Sequence, residues 1–279
     1  MEKRAVFVSG ASSGLGRAVA EHLAGEGYAV YAGARSFKKE GELLPSGVFG
    51  VFLDVCDEVS VKFAVDTVLS KEGEIFALIN CAAFFTLGSC EEVEVSELAK
   101  IIDTNFLGMV RMTRAVLPSM RECGRGRIIN FSSINGLLSI PFQGAYSASK
   151  HAVEGWSESL AQEVSRFGID VTAVEPGDCR GGAQKYRKVC EKTSSENSPY
   201  FAFFTAGTAK IHFDESHGLP QERVAKAVSK LLRQKKPPHS KVVASLLQRS
   251  SVWLHKALPR RAFNRIIAGY YSPKKGSGN

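Results

Sequence analysis

Short apolar runs rich in valine and isoleucine alternate with longer stretches whose apolar residues recur at helical spacing, from residue 4 to about residue 235. The runs "RAVFVS" (4–9), "YAVYAGA" (28–34), "GVFGVFLD" (47–54), "FALIN" (76–80), "GRIINFSS" (126–133) and "IDVTAVEP" (169–176) predict strands. Helices are predicted over 14–26, 58–72, 96–121, 145–166 and 221–234. Strands this apolar are buried on both faces, so the pattern predicts a doubly wound parallel sheet flanked by helices, a single α/β domain over 1–240. Ligands of such sheets sit beyond the carboxyl ends of the strands, which directs attention to the residues just after each run.

The pattern breaks after residue 177. Residues 180–218 show no clear period and hold an aromatic cluster, "YFAFF" (200–204), which predicts a substrate loop. Residues 241–279 read as a C-terminal extension. Its segment "VVASLLQRSSVWLHKALPRRAFNRIIAGYY" (242–271) mixes apolar residues with Arg and Lys and breaks at Pro259, predicting two short amphipathic helices. Two destinations fit it: an anionic membrane surface, met as a peripheral contact, or the body of the protein, with the apolar side folded over the active site or onto a partner subunit.

Composition adds an asymmetry to this picture. The 279 residues are 44% hydrophobic and 23% charged, an ordinary globular balance, and the net charge is +8. From Arg223 to the end there are 14 Lys and Arg and no acid, whereas the first 222 residues hold 28 acidic against 22 basic residues. The basic character belongs to the tail, and no nucleic-acid-binding motif accompanies it, so nucleic acid is not an expected partner. Six cysteines show neither a C-x-x-C pair nor a His spacing suited to zinc. No metal is expected. "MEKRAVFVSG" reads as a first strand, without a secretory leader, and the longest uncharged stretch (128–149) is too rich in Ser, Asn and Gly to span a bilayer. These readings point to a cytoplasmic protein with reduced thiols, peripheral to a membrane if the tail binds one.

The turn "SGASSGLG" (9–16) lies between the first strand and the first helix. Gly10, Gly14 and Gly16 permit a tight turn and a close backbone approach to a pyrophosphate at the helix amino end. A second pattern lies in "AYSASKHAVEG" (145–155): Tyr146 and Lys150 are four residues apart, so they share a helix face among small residues. A neighbouring ammonium favours phenolate, so Lys150 is expected to lower the Tyr146 pKa toward the working range of a general acid.

With these motifs in this order the chain resembles the short-chain dehydrogenase/reductase family, over residues 4 to about 235, and is closest in character to its steroid-, retinol- and lipid-directed carbonyl reductases. The resemblance implies a Rossmann-type fold and a nicotinamide dinucleotide bound by Gly10, Ser12, Ser13, Gly14, Leu15 and Gly16. It implies adenine contacts from Asp54 and Val55, and further cofactor contacts from Asn80, Tyr146, Lys150, Pro176, Gly177 and Cys179. The end of the second strand selects the dinucleotide. An acid there accepts bonds from a ribose hydroxyl, whereas a 2′-phosphate needs a cation. Ala34 and Arg35 stand at that place, which favours NADP(H), with Ser12 or Ser13 adding bonds to the phosphate; the alternative is that Arg35 is a solvated surface residue.

The resemblance also assigns the chemistry. Ser133, thirteen residues before Tyr146, would hold the substrate oxygen, with Ser132 as the neighbouring alternative. Asn105 would hold a water linking Lys150 to solvent. In this scheme Tyr146 and Ser133 contact the substrate, and Lys150 grips the nicotinamide ribose. Cys81, Ala83 and Gly181 depart from the family pattern, Gly181 replacing a threonine that contacts the nicotinamide carboxamide. The implied activity is NADP(H)-dependent hydride transfer between the nicotinamide and a carbonyl or secondary alcohol of a lipophilic steroid, retinoid or long-chain substrate. Alternatives are reduction of a 3-oxoacyl thioester in fatty acid synthesis, and a catalytically weak dinucleotide-binding regulator or membrane-associated scaffold. Family members assemble through their two long helices, here 96–121 and 145–166, so a homodimer or homotetramer is expected.

Overall fold

The computed structural model describes residues 4–38, 41–181 and 187–273. The strands are β1 (Ala5–Ser9), β2 (Ala29–Ala34), β3 (Glu42–Leu43), β4 (Phe49–Phe52), β5 (Ala77–Asn80), β6 (Thr86–Leu87), β7 (Gly126–Phe131), β8 (Ile169–Pro176), β9 (Lys188–Val189) and β10 (Ser240–Val243). The helices are α1 (Gly14–Gly25), α2 (Glu58–Glu72), α3 (Val95–Ile102), α4 (Gly108–Glu122), α5 (Gly144–Val164), α6 (Glu191–Ser194), α7 (Phe201–Ser216), α8 (Gln221–Arg233), α9 (Leu246–Ala257) and α10 (Arg260–Tyr271).

Eight strands form one sheet in the order β10-β8-β7-β5-β1-β2-β4-β3. Every pairing is parallel except β3 with β4. The chain winds outward from β1 through β2 and β4, then returns to place β5 on the other side of β1, so a crevice opens between the carboxyl ends of β1 and β5. Alternate residues of each strand feed two cores. Phe7, Leu78, Ile128 and Val171 stand side by side in register and meet Val61 and Val65 of α2, Met112 and Val116 of α4, and Leu160 and Val164 of α5. Val6, Val8, Ile79 and Ile129 face the other way, onto Val19 and Leu23 of α1 and Val224, Val228 and Leu231 of α8.

The structure departs from the sequence expectations in four places. The helix expected over 96–121 is interrupted: a π-helical turn, Asp103–Leu107, separates α3 from α4. The boundary expected at residue 240 falls inside β10, whose residues pair with Ala173–Pro176 of β8 and complete the sheet. The 180–218 segment is not a loop throughout, since α7 occupies Phe201–Ser216; its residues 182–186 lie outside those described. Nor does the aromatic cluster face a substrate: Tyr200, Phe203 and Phe204 pack with Phe142 and Leu87 in a small separate core.

The tail forms the two expected helices, with Pro259 as the N-cap of the second. Their inner sides, through Val252, Leu254, Phe263 and Ile267, pack on Ile134, Leu137 and Leu138 just beyond β7. Of the two destinations, the body of the protein takes this inward side. No helix among the described residues is long and apolar enough to cross a membrane.

Candidate active site

One large cavity, about 1350 Å³, opens over the carboxyl ends of the central strands. Behind its wall at the end of β1, the buried Ser9 hydroxyl accepts the backbone N–H groups of Cys81 and Ala82 at 3.2 and 3.4 Å, tying the turn after β5 to the turn after β1. A Cβ on Gly16 would collide with the Gly10 carbonyl, so α1 can start this close to β1 only with glycine there. Gly14 has φ +55° and no atom within 4 Å of where its Cβ would stand, which leaves an open cradle at the amino end of α1. Ser12, Ser13, Leu15 and Gly10 line the same stretch, and the Ser13 hydroxyl makes no capping bond although Ser13 is the N-cap. Unspent backbone N–H groups, a cradle and hydroxyls fit the phosphates of a dinucleotide.

Arg35 lies exposed on the cavity wall directly after β2, followed by Ser36, with no acid at the strand end. Asp54 and the buried Val55 line the wall beyond β4, where the Asp54 carboxylate accepts the Cys56 N–H at 3.0 Å. Pro176, Gly177 and Cys179 line the opposite edge, with Gly181 beside them at φ +73°. Asn80 is the exception among the expected cofactor residues. It does not reach the cavity; its amide donates inward to Asn130 at 2.9 Å and Thr113 at 3.2 Å, so its side chain ties neighbouring elements together.

The chemical groups meet where α5 passes β7. Lys150 is 2% exposed, and its Nζ donates to the Phe131 carbonyl at 2.6 Å. Tyr146 stacks at a tilt on Phe85, ring centroids 4.9 Å apart, with Lys150 Nζ 5.6 Å from its own ring centroid. Burial pushes the Tyr146 phenol up to about 12, against the pull of its hydrogen bond with Ser133. Burial likewise pushes Lys150 down to about 8. The expected depression of Tyr146 is therefore absent from the protein alone: loss of hydration and the neighbouring Glu215 and Asp178 carboxyls raise the phenol.

Ser133 caps the turn Ile134–Gly136, accepting the Asn135 N–H at 3.2 Å, and its hydroxyl reaches Tyr146. Ser132 is buried and directed instead at the Lys150 carbonyl, which separates the two serines. Asn105 sits inside the π turn, 2% exposed and away from the cavity lining. Its amide accepts from Phe84 N–H and donates to Phe84 O, both at 2.9 Å, and to Ser149 at 3.1 Å. The wider turn lets Asn105 grip both the loop that carries Phe85 and Ser149, the residue before Lys150 on α5.

The far end of the cavity comes from segments with no assigned site residue. Lys210, Ile211, Asp214 and Glu215 of α7, and Leu247, Gln248, Leu254, Ile266, Ile267, Tyr270 and Tyr271 of the tail, form a wall in which aliphatic and aromatic side chains surround one lysine, one glutamine and two carboxylates. Burial and the neighbouring Glu215 and Asp214 push Asp178 up to about 7. Gln248 holds Asp178 at 2.5 Å. Asp178, the residue after the Pro176–Gly177 turn, was legible as the next position along a ligand-binding strand end; the α7 residues fall inside the expected substrate segment 180–218, but no pattern there singled them out.

The sequence profile of the family described as short chain dehydrogenase matches residues 4–189. A 3-ketodihydrosphingosine reductase of Bacteroides thetaiotaomicron is 38% identical over 262 residues, 91% of this chain and 94% of the relative. Human 17-beta-hydroxysteroid dehydrogenase type 1 is 32% identical, covering 85% of this chain and 76% of its own. The crystal structure of a short-chain dehydrogenase from Streptomyces avermitilis superposes with a TM-score of 0.79 at 31% identity, over 94% of this chain and 96% of that one. Profile, relatives and fold agree with one another, and the chain belongs to the short-chain dehydrogenase family of oxidoreductases.

Proposed function

We propose that the protein is an NADP(H)-dependent reductase that converts the carbonyl of a lipophilic substrate to an alcohol. The observation that carries this reading is the meeting of Tyr146, Ser133 and Lys150 in one cavity whose remaining wall is largely aliphatic and aromatic. Gly10, Gly14, Gly16 and the amino end of α1 would hold the pyrophosphate, Arg35 and Ser12 or Ser13 the 2′-phosphate, and Asp54 and Val55 the adenine. Bound there, the dinucleotide supplies the hydride.

The chain's own groups handle the oxygen and the proton. Ser133 donates a hydrogen bond to the carbonyl oxygen, and the Tyr146 hydroxyl protonates that oxygen as charge develops on it. Lys150, with a pKa near 8, is poised to bind ribose hydroxyls while its charge offsets the phenolate left behind. Asn105 fixes Phe84 and α5 relative to each other, a positioning role. The carboxylates at the far end of the cavity, and the long-chain ketone for which the Bacteroides relative is named, favour a long-chain keto substrate with a polar head over a compact neutral ring system. Assembly as a homodimer or homotetramer through α4 and α5 is part of the proposal, measurable by light scattering.

The test is oxidation of NADPH and of NADH against ketones of graded chain length and polarity. Turnover should require NADPH, rise with chain length, and fall by about 10²- to 10⁴-fold in Tyr146→Phe with NADPH binding retained. Arg35→Asp should shift preference toward NADH. Equal use of both dinucleotides by the unmodified protein would refute the role given to Arg35.

A further inference from the structure

The two tail helices spend only one side on the body of the protein. On the bare side of α9, Leu246 is 83% and Trp253 67% exposed. Arg249 and Lys256 interleave with them, because residues three, four and seven apart share a helix face. On α10, Ile266 is exposed beside Arg265, with Arg260 and Arg261 one turn earlier. These helices carry five Lys and Arg and no Asp or Glu, and none of the five enters a salt bridge among the described residues.

The same surface runs into the substrate cavity. Leu247, Ile266, Tyr270 and Phe213 are exposed and also line the cavity, so its rim is apolar and bordered by cations. Outside these two helices the chain is close to balanced, with 28 acidic against 31 basic residues, whereas the helices themselves are purely basic.

We propose that the bare face of α9 and α10 docks on an anionic lipid surface, with the cavity mouth turned toward the bilayer, so that a lipophilic substrate enters from the lipid. Charge complementarity selects this occupant. A basic face without carboxylates repels a second copy of itself, while anionic headgroups neutralise it and the acyl boundary receives Leu246, Leu247 and Trp253. The five cations of the tail helices, which no carboxylate on those helices offsets, draw this side toward such a surface and set the orientation.

The experiment is cosedimentation of the full chain with vesicles of phosphatidylcholine alone and of phosphatidylcholine mixed with phosphatidylglycerol, at low and high salt. Binding is expected to the mixed vesicles and to weaken with salt. The double variant Leu246→Ser/Trp253→Ser, and separately Arg249→Glu/Lys256→Glu, should each lower partition by about tenfold or more. All four residues lie outside the cavity lining. A melt and turnover of a water-soluble ketone therefore serve as controls expected to be unchanged. Failure to bind the mixed vesicles, or unaltered binding by both variants, overturns the proposal. So does light scattering in which the Leu246→Ser/Trp253→Ser change splits an oligomer, since the face would then be a subunit interface. The binding arm needs no turnover, so a wrong substrate assignment and a wrong docking surface give different results.

Discussion

At Tyr146 the phenol is enclosed by Phe85 on one side and by Ser133 on the other, and the protein alone holds it protonated. A general acid needs its proton until the substrate oxygen calls for it, so this state suits carbonyl reduction. Ser133→Ala should lower kcat by about 10²-fold, because the hydroxyl that meets the reacting oxygen is lost. Ser132→Ala, at a hydroxyl turned to the Lys150 carbonyl, should act mainly on stability; equal kinetic losses in the two variants would contradict the assignment. A second residue speaks through pH. Glu175 is fully buried, and burial, with the neighbouring Glu154 carboxyl, raises it from 4.5 to about 7 against the pull of its hydrogen bond with Ser240. Between those values the folded state holds a proton that the unfolded chain has released, so this residue makes stability fall as pH rises. Glu175→Gln should flatten that fall in thermal melts and gain on the order of 3 kcal/mol relative to the parent once pH exceeds 7. The Tyr146–Lys150 and Ser133 positions were legible because their spacing is carried by one helix and one strand end. The inward turn of Asn80 was not, because the hydrogen bonds that claim it come from β7 and α4, remote in sequence.

Helices with one buried face announced themselves, and α7, which has two, did not. α8 presents Val224, Val228, Leu231 and Leu232 to the core along a single stripe, and its expected and observed limits differ by one residue. α7 spends its first turns on Phe142 and its last on the cavity wall, so its apolar residues point in several directions and leave no period to read. β10 is four residues long and half-exposed, too brief for alternation to show. The start of α9 combines both problems with a function. Ser245 and Gln248 form a capping box, and Gln248 also bonds Asp178 through its side-chain amide and the Asp178 N–H through its carbonyl. One glutamine thus joins the tail to the Pro176–Gly177 turn. Gln248→Ala should loosen α9 by about 1 kcal/mol and raise KM for a long-chain ketone more than it changes NADPH affinity, as steady-state kinetics and fluorescence titration would show. Equal effects on both constants would place Gln248 on the dinucleotide side.

For the whole molecule, the hydropathy pattern specified the doubly wound sheet and both of its cores, since burial on two faces is written strand by strand. It did not specify where the tail would lie, because an amphipathic helix records that it has an apolar side without naming the surface that side meets. A chain ending after Ser245 keeps β10 and so should keep the sheet, while losing Val252 and Phe263 from the small core around Leu138. We expect it to bind NADPH, to melt at lower temperature with about 3–6 kcal/mol of apolar burial gone, and to show a KM for long-chain ketones at least tenfold higher. An unchanged KM would mean the tail is no part of the substrate wall. The cores under α7 and under the tail share no residue with the two that flank the sheet. The packing that holds the sheet, Lys150 and the glycine turn therefore stands apart from both, while Phe85 carries the α7 core to the Tyr146 ring and Gln248 carries the tail to Asp178. A lineage carrying this architecture can explore new substrates by drift in α7 and in the two helices after Ser245 while the sheet and its flanking cores stay intact, and a protein engineer can exchange those helices between relatives without cutting into the sheet.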